Sequence, residues 1–337
     1  MPATQAIRDL WDAVGDTPLI RLHHLSALTG CEILGKAEFL NPGGSVKDRA
    51  AKGIIAAAEK DGRLQPGSII VEGTAGNTGI GLATLANLRG YRTIIVIPDN
   101  MSREKVDMLR ILGADVRVVP SVGYAKPENY YHQARGIAES TPNAVWADQF
   151  NNTANAQYHY DTTGPEIWHQ TGGRIDALVM AAGTGGTISG TSRYLKEKQA
   201  DLQVVLADPM GSALYSYIKS GVLDSGDGDS ITEGIGIGRV TENFRLARID
   251  DAMQVDDHQM IEMAFFLAQR EGLLLGSSAA LNCFAAARYA KQIGPGHTIV
   301  TILCDGGQRY LSNLFNLGWL AEQGLSPTGI LPELLNG

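Results

Sequence analysis

Lys47 is the residue whose type and setting most favour chemistry. It stands in Asn41-Pro42-Gly43-Gly44-Ser45-Val46-Lys47-Asp48-Arg49, a glycine-rich stretch that passes directly into Ala50, Ala51, Ile54, Ile55 and Ala56 at helical spacing. Ser45 and Asp48 form an S-x-x-D pattern and are expected to cap that helix as a capping box. Lys47 then falls in the first turn, where the helix dipole opposes a cation. Desolvation there would lower its pKa, and a neutral amine is what attack on a carbonyl requires. Taken alone, Lys47 also reads as a surface lysine that tolerates a small electrostatic cost.

Four further loops carry polar groups at comparable positions. Gly183-Thr184-Gly185-Gly186-Thr187 follows an apolar strand and opens a helix. Small residues there let backbone N–H groups meet an anion at a helix N-terminus, and a phosphate is the natural ligand. The same residues also suit a tight turn, and the pattern is neither G-x-G-x-x-G nor a Walker P-loop. Thr74-Ala75-Gly76-Asn77-Thr78 has the same setting and suits a second anion such as a carboxylate, or an ordinary turn with Asn77 near the cap. Ser277 or Ser278 either caps the alanine-rich helix that follows or aims a hydroxyl at a ligand. Gln149 ends another strand, to contact a ligand or to satisfy backbone groups.

The elements that position these loops alternate. Apolar strands are expected at 18–22, 31–36, 67–72, 93–97, 116–119, 144–147, 177–180, 204–206 and 298–303. Helices are expected before the first strand (within 7–23) and at 80–89, 102–112, 128–140, 164–170, 188–198, 257–271, 277–291 and 309–322, with 210–245 irregular. Repeated β-loop-α units with near-continuous apolar strands imply an α/β fold, doubly wound, with mainly parallel sheets covered on both faces. Ligands then bind at the carboxyl ends of the strands, where these loops lie.

Composition narrows the function classes. The 337 residues suit about two domains. A formal charge of −8 with no basic cluster speaks against nucleic acid. Cys31, Cys283 and Cys304 are too scattered for a metal site or a disulfide framework, which fits a reducing compartment. The opening Met1-Pro2-Ala3-Thr4-Gln5 lacks the regions of a signal peptide, and no apolar run reaches the ~18 residues of a membrane span, so a cytoplasmic location is expected.

Taken together, these stretches closely resemble the cysteine synthase family (O-acetylserine sulfhydrylases), pyridoxal-phosphate enzymes of the tryptophan-synthase-β type, fold type II. The resemblance runs through Gly15-Asp16-Thr17-Pro18-Leu19, Asn41 to Arg49, Gly76 to Ala83, Met101-Ser102, Leu112-Gly113-Ala114, Gln149 to Glu166, Gly183 to Thr187, Glu233-Gly234-Ile235-Gly236, Ser277-Ser278 and Arg309-Tyr310-Leu311-Ser312. It implies that Lys47 holds pyridoxal 5'-phosphate as a Schiff base and later moves the α-proton. It implies that Gly183, Thr184, Gly185, Gly186 and Thr187 bind the cofactor phosphate, that Asn77 meets the ring hydroxyl, and that Ser277 faces the pyridine nitrogen. Thr74, Ala75, Gly76, Thr78 and Gln149 would grip the substrate carboxylate. A neutral hydroxyl at the ring nitrogen suits β-elimination better than transamination.

The implied reaction is β-replacement on O-acetyl-L-serine by sulfide, giving L-cysteine through an aminoacrylate, with no metal. Ala75, Ala279 and Cys304-Asp305-Gly306-Gly307-Gln308 depart from the family pattern and bear on specificity. An L-cysteine desulfhydrase, yielding sulfide, pyruvate and ammonia, is therefore the alternative. A non-catalytic partner-binding relative is a weaker one, because a scaffold needs neither Lys47 nor a phosphate loop. A Rossmann dehydrogenase lacks its fingerprint here. The resemblance also implies a small mobile domain at 48–153 inside a larger one (1–47 plus 154–337), a homodimer, and the C-terminal tail of serine acetyltransferase as a partner.

Overall fold

The computed structural model describes residues 9–335. Ten strands form two sheets: β1 (Leu19–Arg21), β2 (Glu32–Lys36), β3 (Ile69–Gly73), β4 (Arg92–Pro98), β5 (Asp115–Val119), β6 (Ala144–Trp146), β7 (Ala177–Ala181), β8 (Gln203–Pro209), β9 (Asp251–Val255) and β10 (Thr298–Ile302). One sheet has the order β1-β2-β10-β7-β8-β9, and the other β5-β4-β3-β6. Every pairing is parallel except β1 with β2. The smaller sheet lies within residues 69–146, and the larger is assembled from the chain on both sides of it.

Alternation along the strands explains the layering. Ile33, Val179 and Val205 pack into one core with the alanine-rich Ser277–Ile293 helix, while Leu178, Met180, Leu206, Val300 and Ile302 pack into another. In the small sheet Ile69, Val71, Ile94 and Val96 face the Tyr130–Ser140 helix, and Ile95 and Ile97 face the Arg103–Ile111 helix. Strands buried on both faces are mainly apolar, as parallel sheets require, with Glu72 in β3 and Asp208 in β8 as buried exceptions.

Several local expectations are corrected. The capping box does not form. The helix begins at Lys47, Ser45 Oγ accepts from the Lys47 N–H at 3.2 Å, and Asp48 turns back to accept from the Gly43 N–H. Asp48 thus ties the glycine loop to the helix. Residues 9–15 run in turns rather than a helix, and residues 7 and 8 lie outside the described residues. The helix expected at 309–322 is split into a 3₁₀ turn, Gly307–Tyr310, and Leu317–Glu322, with Asn316 capping the second. Unforeseen elements include β9 and the helices His23–Thr29, Ala154–Asp161, Leu214–Ser220 and Leu331–Leu334.

A buried ion network anchors the chain just before Lys47. Arg49 Nε and Nη2 donate to Glu38 at 2.8 and 2.9 Å, and Nη1 and Nη2 donate to Glu166 at 2.7 Å each. Asn41 Nδ2 and Thr17 Oγ1 also donate to Glu38, at 2.8 and 2.7 Å. Lys36 shares Glu166 at 2.6 Å. Burial pushes the Glu38 carboxyl upward, but Arg49 more than reverses this and holds it below the ordinary carboxylate range.

Candidate active site

One cavity of about 230 Å³ opens between the two sheets at the carboxyl ends of their strands. Lys47, Thr74, Ala75, Asn77, Thr78, Gln149, Gly183, Thr184, Gly185 and Thr187 line it. Loops scattered over more than a hundred residues therefore meet at one place, as doubly wound topology dictates. Gly76, Gly186 and Ser277 stand behind this wall. Of the two serines, Ser278 lines the cavity beside Cys304, while Ser277 is buried and its Oγ accepts from the Glu233 N–H at 3.4 Å.

Lys47 sits at the N-terminus of the Lys47–Lys60 helix, half-buried in the cavity wall. Desolvation lowers its pKa, opposed by the nearby Cys304 and Asp305 and assisted by Lys105. Its Nζ makes no hydrogen bond or ion pair among the described residues. The Cys304 thiol is pushed up to about 11 by burial, so it stays protonated at neutral pH. The other lysine on the wall, Lys105, is committed to Glu233 at 2.6 Å and lies 4.4 Å from the centre of the Tyr310 ring.

The Gly183–Thr187 loop ends β7 and opens the Gly186–Lys198 helix. Its glycines are there for space. A Cβ on Gly183 would strike the Gly234 carbonyl oxygen, and one on Gly185, whose φ is +84°, would lie 2.5 Å from Phe244 Cα. A Cβ on Gly186 would collide with the Asn155 carboxamide. Asn155 Nδ2 also donates to Thr184 Oγ1 at 3.0 Å. Behind Thr187 stands His159, whose Nε2 lies 3.1 Å from Thr187 Oγ1 and whose Nδ1 lies 2.8 Å from Thr163 Oγ1. Burial, together with the charges of Arg49 and Lys47, holds His159 well below its usual pKa, so it is neutral. The loop is a rigid concave surface at a helix N-terminus, suited to a phosphate. Gly183→Ala should push Gly234 aside and weaken phosphate retention by at least about tenfold, an effect of one charge-assisted hydrogen bond; equilibrium dialysis of pyridoxal phosphate checks it.

Across the cavity, Gln149 Oε1 accepts from Thr78 Oγ1, and Gln149 Nε2 donates to the Gly73 carbonyl at 3.2 Å. Thr74 Oγ1 accepts from the Gly76 N–H at 3.1 Å. These bonds pin a polar rim and leave one Gln149 N–H for a carboxylate. Asn77 is gripped at both ends, Nδ2 donating to Asp305 at 2.7 Å and Oδ1 accepting from Arg309 Nη1 at 2.6 Å. The site therefore offers an uncommitted amine, a phosphate cradle and a carboxylate-sized polar rim, which together fit pyridoxal phosphate with an amino acid. Among the described residues no cluster of potential metal ligands occurs.

Sequence reading missed His159, Asn155 and the Lys105–Glu233 pair as supports. His159 and Thr163 at i, i+4 were the available signal, but only the packing of two helices identifies Thr187 as the third member.

Comparison with known proteins agrees with this geometry. The family described as "Pyridoxal-phosphate dependent enzyme" matches residues 10–305. "Cysteine synthase 1" of Neurospora crassa is 53% identical over 332 residues, covering 97% of this chain and 88% of that protein. "Cysteine synthase" of Dictyostelium discoideum is 48% identical, covering 92% and 85%. Among solved structures, a hydrogen sulfide-producing enzyme from Fusobacterium nucleatum superposes with a TM-score of 0.83 at 32% identity, covering 91% of this chain and 100% of that one. An O-acetylserine dependent cystathionine beta-synthase from Helicobacter pylori gives 0.82 at 33% identity, covering 92% and 98%.

Proposed function

Because this chain belongs to the pyridoxal-phosphate-dependent enzymes, in their cysteine synthase family, we propose that it exchanges the acetate of O-acetyl-L-serine for sulfide and releases L-cysteine. The observation that carries the reading is the meeting of Lys47 with the Gly183–Thr187 cradle and the Thr74–Thr78 rim in one cavity. Pyridoxal phosphate supplies an electron sink for the carbanion at the substrate α-carbon. Lys47, whose pKa burial lowers, would hold the cofactor carbonyl until the substrate amine displaces it, and would then take the α-proton. Gly183, Thr184, Gly185, Gly186 and Thr187 hold the phosphate through backbone N–H groups and hydroxyls. Asn77 would meet the ring oxygen; of the serine pair expected at the ring nitrogen, Ser278 lines the wall and Ser277 is buried directly behind it. Thr74, Ala75, Gly76, Thr78 and Gln149 orient the substrate carboxylate.

The family resemblance further supports residues 48–153 as a small domain that closes over the substrate. The Lys105–Glu233 pair and the bonds from Ser312 to Glu104 at 2.9 and 2.7 Å are the ties such a motion would break. The same resemblance supports a cytoplasmic homodimer, with the cavity also receiving the C-terminal tail of a serine acetyltransferase. Among the described residues no helix is long and apolar enough to cross a membrane.

Absorbance of the cofactor-loaded protein tests the reaction. O-acetylserine should shift the visible band to longer wavelength, and sulfide should discharge it with stoichiometric cysteine. No shift with O-acetylserine, with sulfide, pyruvate and ammonia produced from cysteine instead, would replace the synthase by a desulfhydrase. The sulfide-producing Fusobacterium nucleatum neighbour is the observation that puts this second reaction into the assay.

A further inference from the structure

Asp305 is fully buried just past β10, in a segment that departs from the pattern of the resembling family. Its backbone is tied on two sides, bridged to Ser45 and accepting from the Gly276 N–H at 3.1 Å. Its Oδ2 accepts from Asn77 Nδ2 at 2.7 Å and from the Tyr310 hydroxyl at 2.6 Å. Its Oδ1 has no partner among the described residues and rests where only a glycine at 276 leaves room, since a Cβ there would strike it.

The Asn77 carboxamide thus lies between a group that only accepts and a group that only donates, because Arg309 Nη1 binds its Oδ1 at 2.6 Å. Rotating the amide by half a turn would set oxygen against carboxylate and N–H against guanidinium. Both contacts would be repulsive in a buried setting, where they are weakly screened. The Asn77 oxygen is therefore spent on Arg309, and what the amide presents to the cavity is its second N–H. A donor at that point favours an anionic ring oxygen over a protonated one.

We propose that Asp305 is a positioning residue: it sets the Asn77 carboxamide as a donor toward the cavity and thereby selects the anionic form of the cofactor's ring oxygen. This rests on Asn77 being the ring oxygen's partner. It acts through Asn77 and touches neither substrate nor cofactor.

The test is the absorbance spectrum of the purified, cofactor-loaded protein at fixed pH. The ratio of the long-wavelength band of the anionic ring oxygen to the short-wavelength band of its protonated form is read alongside the melting temperature. Asp305→Ala should lower that ratio by about tenfold, the weight of one charge-assisted hydrogen bond. Asn77→Ala should lower it at least as far. Tyr310→Phe removes the other bond to Asp305 and should lower the melting temperature without moving the ratio. If Asp305→Ala does not fold, Asp305→Asn, of the same shape but able to present either pole, should lower the ratio to an intermediate value. A normal ratio in the Asp305 variants with a shifted one in Asn77→Ala overturns the proposal and leaves the site reading standing. A normal ratio in Asn77→Ala overturns the assignment of Asn77 itself. An equal shift in Tyr310→Phe shows a merely structural role and also overturns the proposal.

Discussion

Lys47→Ala should leave a folded protein whose visible band cannot be fixed by borohydride reduction and whose turnover falls by about 10³-fold or more. The expectation follows from the wall around the amine. Lys47 Nζ has no hydrogen bond or ion pair among the described residues to lose, so the fold gives up little. Chemically, nothing replaces it. Lys105 is the other lysine lining the cavity, and it is bound to Glu233 at 2.6 Å and covered by the Tyr310 ring. Cys304 stays protonated, raised to about 11 by burial. His159 is reached only through Thr187. Activity of cysteine formation from O-acetylserine and sulfide, measured with the spectrum, checks both halves. A variant that retains a reducible band would move the covalent anchor to another lysine.

Glu38→Ala should have the largest effect on stability, about 3–5 kcal/mol, because it strands a buried cation. Arg49 would keep one carboxylate, Glu166, and would share it with Lys36 at 2.6 Å. Asn41 and Thr17 would lose their acceptor as well. For a chain of this size the loss corresponds to a melting temperature lower by roughly 4–7 °C. The pH dependence has a definite sign. Arg49 holds the folded-state pKa of Glu38 below its ordinary value of 4.5. Its contribution is therefore present above pH 4.5 and lost as pH falls through the folded value. Wild type and variant should differ fully at neutral pH and converge in acid, and thermal melts at a series of pH values show whether they do. The effect reaches the site because Glu38 and Asn41 fix the loop that delivers Lys47. Asn41 Oδ1 accepts from the Gly15 N–H at 3.0 Å as well.

Much of this site was legible in the sequence because each loop follows an apolar strand and opens a helix. That local grammar alone places Lys47, Asn77, Gln149 and Gly183–Thr187 at the carboxyl edge of a parallel sheet. What was illegible depends on partners far away in the chain. Asp48 was read as a cap because S-x-x-D is a local pattern, yet its carboxylate is drawn back to the Gly43 N–H. The strand Asp251–Val255 begins with a charged residue bound to Lys219 and carries Gln254, so it lacks the apolar continuity of its neighbours. Ala154–Asp161 has little amphipathic character because it is packed on both sides, against the Lys47–Lys60 and Gly186–Lys198 helices. Asp305 looked like an irregularity before Arg309. Its place opposite Asn77 follows only from the insertion of the last strand beside the second.

That insertion has a consequence for how the molecule is made. β10 lies between β2 and β7, so the strand synthesised last fills the middle of the larger sheet. β2 ends at residue 36 and β10 begins at residue 298. At about 5–20 residues per second, a ribosome leaves that gap unfilled for roughly 10–50 s. The smaller sheet, with all its strands inside residues 69–146, can close meanwhile. Until β10 emerges, the flanking edges of β2 and β7 stand unpaired, open to other nascent chains. Truncation before residue 298 should therefore give an aggregating product rather than a weakened enzyme, and Lys47 meets Cys304 and Asp305 only once β10 has been made.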